Sequence, residues 1–154
     1  MLLPIPYFHV VVTLPHQLTP LIRVNQRRRY AVVFQTAAPT LQEFARDPQP
    51  RGGEIGIPAV LHPWGQTLTA HVHVHGVVTG GGLSPDGTHW HACPRRFRFA
   101  VTALGQVFRG TDLAGVERVR TQPQLTFAGE SAPWAEAAAG NAWRQPLYTK
   151  PWDV

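Results

Sequence analysis

Five residues near the middle of the chain, His71-Val72-His73-Val74-His75, constrain it more than any other stretch. Valine is β-branched and suits a pleated surface, and strict apolar/polar alternation is the period of a strand with one packed face and one wet face. The run predicts a strand over His71–Thr79, with Val72 and Val74 turned into a core and the imidazoles turned away from it. Alternate residues of a strand lie ~6.6 Å apart at Cα, close enough for two histidines to converge on one ion, whereas three in line span ~13 Å. An adjacent pair plus a ligand from elsewhere fits this spacing. Glu54, His62, Gln66, His89 and His91 are the candidates for that further ligand. No acidic residue lies between Glu54 and Asp86, so the local hairpin offers no carboxylate. The alternative is a solvated sheet face carrying three titratable rings.

The flanking sequence supplies a sheet and helices around this strand. Tyr7–Thr13 is β-branched and aromatic, bounded by Pro6 and Pro15, and reads as a buried strand. Thr19-Pro20 opens a helix, and Tyr30, Val33, Phe34, Ala37, Leu41, Phe44 and Ala45 step by three and four, predicting one helix from about Leu21 to Ala45, bent near Ala38 by Pro39. Glu54–Leu61 reads as a second strand, placed at an edge by Pro58. Pro85-Asp86-Gly87 reads as a turn, Phe97–Val101 as a fourth strand, and Ala103–Val119 as a glycine-interrupted helix. From Phe127 onward no period is visible. This order predicts an α+β fold, a single largely antiparallel sheet with helices on one face. Residues 1–126 form its core and 127–154 an irregular C-terminal extension.

Composition removes several classes of protein. A chain of 154 residues has room for one domain, and 44% hydrophobic residues exclude a disordered tail. The single cysteine, Cys93, excludes a disulfide framework or a multi-cysteine zinc site and is expected as an inert core thiol. No apolar run reaches the ~18–20 residues of a bilayer span, and the N-terminus lacks the signature of a signal peptide, so a soluble cytoplasmic domain is expected. The 14 Lys+Arg against 9 Asp+Glu give +5, which allows a nucleic-acid partner. Arg95, Arg96 and Arg98 follow the glycine turn near the histidine strand and are candidate phosphate contacts, whereas Arg27-Arg28-Arg29 reads as a solvated helix face. Trp64 and Trp90 could stack on unpaired bases, although packing is the commoner fate of tryptophan.

Two metal architectures use such histidines. The stretch from Gly65 to His73 matches the glycine and His-x-His spacing of a cupin, but Val77 and Val78 stand where a glutamate belongs, and a long helix is foreign to a jelly roll. The stretch Leu61-His62-Pro63-Trp64-Gly65-Gln66-Thr67-Leu68-Thr69-Ala70-His71-Val72-His73-Val74-His75, followed by Val77-Val78-Thr79-Gly80-Gly81-Gly82, resembles the core of HUH endonucleases, specifically the rolling-circle two-tyrosine transposases of insertion sequences. Tyr7 through His16 resembles the first strand of that family, and Arg95 through Phe108-Arg109-Gly110 resembles its later part. The resemblance implies metal ligands at His73 and His75, an auxiliary role for His71, and a divalent cation, Mg²⁺ or Mn²⁺. It also implies single-stranded DNA at element ends as the partner. Imidazole is softer than Mg²⁺ prefers, which favours Mn²⁺. The family's nucleophiles lie in a later Tyr-x-x-x-Tyr block that Tyr7, Tyr30 and Tyr148 do not match. The expectation is a transposase core truncated before its tyrosines, with no catalytic residue assigned and no strand cleavage of its own. A non-catalytic metal- or DNA-binding remnant and a cupin-like small-molecule metalloenzyme are the alternatives.

Overall fold

Tyr7–Thr13 forms strand β1 in the computed structural model, which describes residues 3–46, 53–64, 70–93, 100–122 and 124–154. A 3-10 turn at His16–Leu18 leads into α1 (Thr19–Val24) and α2 (Gln26–Arg46). Two helices therefore stand where one was predicted, and the break falls at Asn25. Its φ of −134° leaves the helical region. In exchange its side-chain amide donates to the carbonyls of Leu21 (2.9 Å) and Thr126 (2.7 Å), and its oxygen accepts from the Thr126 amide at 2.7 Å. The two-way bond to Thr126 clamps the helix junction to a segment about a hundred residues away. Past it, α2 continues through Pro39 to Arg46. Val33, Ala37 and Leu41 of the predicted apolar face are buried, while Phe34 is turned to solvent.

Strands β2 (Ala59–Trp64) and β3 (Ala70–Thr79) complete a three-stranded antiparallel sheet in the order β1-β3-β2. Pro58 precedes β2, and a second proline, Pro63, lies inside it. Proline cannot donate to a ladder. Edge β2 accommodates it with a register shift between His62 and Trp64. A short ribbon, β4 (Gly81–Leu83) with β5 (Trp90–Ala92), follows. It turns at Pro85-Asp86-Gly87, where Gly87 has φ +71°, a left-handed conformation that costs glycine little.

Helix α3 spans Val101–Thr121. Of the predicted strand Phe97–Val101, residues 97–99 lie outside the described residues, and Val101 opens a helix instead. Gly115 lets α3 approach α2 closely, since a Cβ there would stand 2.8 Å from Cγ1 of Val32. The expected irregular extension is corrected too. A 3-10 turn at Gly129–Ala135 leads into α4 (Ala137–Thr149), docked on α3 through Arg144 and Glu117. Leu147 and Trp152 are buried, Trp152 packs edge-to-face on Phe108, and the Thr13 amide donates to the Asp153 carbonyl at 2.9 Å. Each such buried side chain stabilises by roughly 1.5–3 kcal/mol, so this segment belongs to the core.

The core lies on one side of the sheet, where Val10, Val12, Val72, Val74 and Val78 meet α2, α3 and α4. The fold is α+β, with an antiparallel sheet and helices on one face, as the sequence predicts. A sheet covered by helices is not a jelly roll, which overturns the cupin alternative. No described helix is long and apolar enough to cross a membrane.

Candidate metal centre

The pairing of β3 decides what its histidines can reach. Val72, Val74 and Val78 are buried on the helix side, so His71, His73 and His75 share the opposite face. In β2 the pairings His62↔His73 and Val60↔His75 put even-numbered residues on that same face. His62 thus stands directly across from His73 and diagonal to His75. Ring centroids are 5.4 Å apart for His62–His73, 4.7 Å for His62–His75 and 4.9 Å for His73–His75. One nitrogen from each of the three lies within 4.8 Å of the others, close enough to share an ion.

His62 joins the predicted pair, and the other open candidates do not. Glu54 is held in an isolated bridge with Leu83, His89 Nδ1 is 2.6 Å from the Thr88 hydroxyl, and His91 pairs with Gly82 in the ribbon. Gln66 lies outside the described residues. His71 is not in the triad. Its ring is 5.3 Å from that of His73, and it lines a cleft of about 340 Å³ with His16, Gln17, Lys150 and Asp153. Its carbonyl does take part, lying 2.8 Å from His73 Nδ1. A carbonyl only accepts, so His73 carries its proton on Nδ1 and presents a lone pair at Nε2.

His9 is a member of the cluster that the sequence reading passed over. It lies on β1 opposite Val77, with its Nε2 2.7 Å from Nδ1 of His75 and the two rings stacked at 4.9 Å. Alternation along Tyr7, His9, Val11 and Thr13 marks it as facing away from Val10 and Val12. Only the strand register brings it beside His75. Partial desolvation, followed by repulsion from His62, His73 and His9, pushes the His75 imidazole below its ordinary range. That favours the neutral ring, the form that carries a free lone pair.

The remaining predicted residues fall as follows. Arg95, Arg96 and Arg98 lie outside the described residues. Trp64 and Trp90 are exposed at 59% and 39%, against the expected packing, and the register shift pairs Trp64 with Ala70 at the end of β2. Cys93 is half-buried rather than a core thiol. Arg27 and Arg28 are exposed as predicted, but Arg29 is wholly buried against Asp112 at 3.0 Å. Tyr7 exchanges hydrogen bonds with the Leu3 backbone, Tyr30 packs against the core beneath the sheet, and Tyr148 is exposed on α4.

An antiparallel sheet with helices on one face and clustered imidazoles on the other is the architecture of the HUH nucleases. Among solved structures, the chain is similar to the conjugative relaxase TrwC complexed with a 27-mer DNA comprising the recognition hairpin and the cleavage site. That match has a TM-score of 0.56 and 15% identity, covering 72% of this chain and 44% of TrwC. A metal-bound TrwC structure with oriT DNA gives the same TM-score and identity, covering 72% and 43%. At this identity the likeness is one of fold. The two-tyrosine transposase family, described as "Putative transposase", matches residues 56–154, and the chain belongs to it. It is 40% identical over 153 residues to "Putative transposase y4qJ" of Sinorhizobium fredii, covering 99% of this chain and 38% of that protein. It is 38% identical over 156 residues to the transposase for insertion sequence element IS801 of Pseudomonas savastanoi pv. phaseolicola, covering 94% and 35%. The chain therefore spans little more than a third of these relatives.

Proposed function

We propose that this chain is the metal- and strand-binding core of a rolling-circle transposase, holding a divalent cation on His62, His73 and His75 beside single-stranded DNA from an element end. The observation that carries this reading is the meeting of three imidazoles from two strands on the sheet face opposite the buried valines. The donor set fits such an ion. His73 already presents Nε2, and three neutral nitrogens suit Mn²⁺ or a later transition metal better than Mg²⁺. Once bound, the cation supplies Lewis-acid polarisation of a phosphoryl oxygen.

The chain's own residues bind and orient the strand. Trp64, exposed at the end of β2, offers a stacking surface for a base, and every base has a π-face to offer in return. Arg95, Arg96 and Arg98 contact phosphates, while His71 and Lys150 flank the cleft beside the triad. We assign no strand cleavage to this chain, since Tyr7, Tyr30 and Tyr148 do not form the family's Tyr-x-x-x-Tyr block, and we locate it with DNA in the cytoplasm. TrwC, bound to DNA and in two of its structures also to metal, on a similar fold, supports the reading.

Anisotropy of a labelled single-stranded oligonucleotide tests it. Mn²⁺ is expected to tighten binding, and Trp64→Ala to weaken it by about 1–3 kcal/mol. Replacing Arg95, Arg96 and Arg98 together by alanine is expected to flatten the slope of log affinity against log salt by about 2, or ~0.7 per phosphate lost. An affinity indifferent to Mn²⁺, to salt and to these substitutions contradicts the proposal.

A further inference from the structure

We propose that His9 is a positioning residue for this centre, its Nε2 accepting the Nδ1 proton of His75 so that the His75 Nε2 lone pair faces the cation. The inference rests on the metal reading above. It comes from the contact between the two rings, 2.7 Å from nitrogen to nitrogen, stacked with an interplanar angle of 13°. Seven consecutive pairs between β1 and β3, from Tyr7↔Thr79 to Thr13↔His73, fix the register, so the contact is built into the sheet.

A neutral imidazole carries one proton on one of two nitrogens, and the hydrogen bond made by one decides what the other can ligate. For His73 the backbone settles the matter through the His71 carbonyl. His75 instead faces a side chain that can either donate or accept. With the proton on His75 Nδ1 and His9 accepting, His75 Nε2 is free to bind an ion. With the proton on His9 Nε2, His75 carries its own proton on Nε2 and cannot ligate. A cation at the triad selects the first arrangement, and His9 supplies the acceptor that makes it available. Because its Nε2 is spent on His75, His9 supports the site from outside the ligand set.

Zn²⁺ is a suitable probe, being diamagnetic and at home on imidazole. Titration calorimetry of the full chain is expected to show Zn²⁺ affinity about 10–100-fold weaker in His9→Val, which keeps a strand-forming residue but has no acceptor. His9→Gln, which restores an acceptor, is expected to recover most of that loss. A long-range proton–nitrogen spectrum of the Zn²⁺-loaded wild type is expected to show His75 protonated at Nδ1 and metal-bound at Nε2, with His9 unligated. That spectrum reads the tautomer directly and does not depend on any variant folding. Wild-type affinity in His9→Val, no recovery in His9→Gln, or coordination by His9 itself overturns the inference while leaving the triad intact. A wild type that takes up no Zn²⁺ overturns the metal reading, and this inference with it.

Discussion

Arg29→Leu is expected to cost about 3–5 kcal/mol and to lower the melting temperature by on the order of 10 °C or more. Arg29 and Asp112 join α2 to α3 with neither side chain exposed to solvent, and they share one contact of 3.0 Å. Nε and one terminal nitrogen of Arg29, and Oδ1 of Asp112, find no partner. Taking two charges out of water is repaid only by good geometry and complete hydrogen bonding, and here the bonding is incomplete. Burial accordingly pushes the Asp112 carboxyl above its ordinary value, against the opposing pull of Arg29 and, less strongly, of the Thr36 hydroxyl. Removing either partner strands the other, so Asp112→Leu should be as damaging as Arg29→Leu. Replacing both with apolar residues should restore most of the loss, which a double-mutant cycle read by denaturant unfolding would measure.

The sign of the pH dependence follows from the same burial. In Arg29→Leu the attraction that favoured the charged carboxylate is gone, so the folded state holds the Asp112 proton to a higher pH than the unfolded chain does. Above the unfolded carboxyl's pKa the native state then binds more protons, and stability falls as pH rises. The deficit of the variant should shrink in acid and grow toward neutrality. A deficit that is flat with pH, or a double variant no better than either single one, contradicts this account of the pair.

The second large effect belongs to the metal. Mn²⁺ at a hundredfold excess over its dissociation constant would stabilise the folded chain by about 2.7 kcal/mol. For a domain of this size that raises the melting temperature by roughly 5–10 °C. His73→Ala with His75→Ala is expected to abolish the shift. Both side chains face away from the core, so the metal-free protein should melt near the wild-type temperature. A double variant that responds to Mn²⁺ as the wild type does removes these residues from the ligand set.

The alternation of His71 through Thr79 made the central strand and its wet face legible, and the β-branched run at Tyr7–Thr13 did the same for β1. Neither run contains the register between them. That is why His62 stayed one of five open candidates and His9 was passed over. Both positions depend on pairings across the sheet, and that of His62 depends further on the irregularity at Pro63. The third arginine of Arg27-Arg28-Arg29 looked like its neighbours because its partner is an aspartate more than eighty residues away. Helix α4 was hidden by Gly140 and Pro146, which blur helical periodicity although tertiary packing of Leu147 holds the helix in place. Local pattern reveals strands and faces, whereas the composition of the site is a matter of long-range pairing.

The central claim is that His62, His73 and His75 hold one cation. Crystals soaked in Mn²⁺, with anomalous differences recorded at the manganese edge, test it most directly. A single strong peak is expected on the histidine face of the sheet, at bonding distance from one nitrogen of each of these three residues and from none of His71 or His9. A peak that His62 does not touch, or manganese scattered over separate histidines, contradicts it.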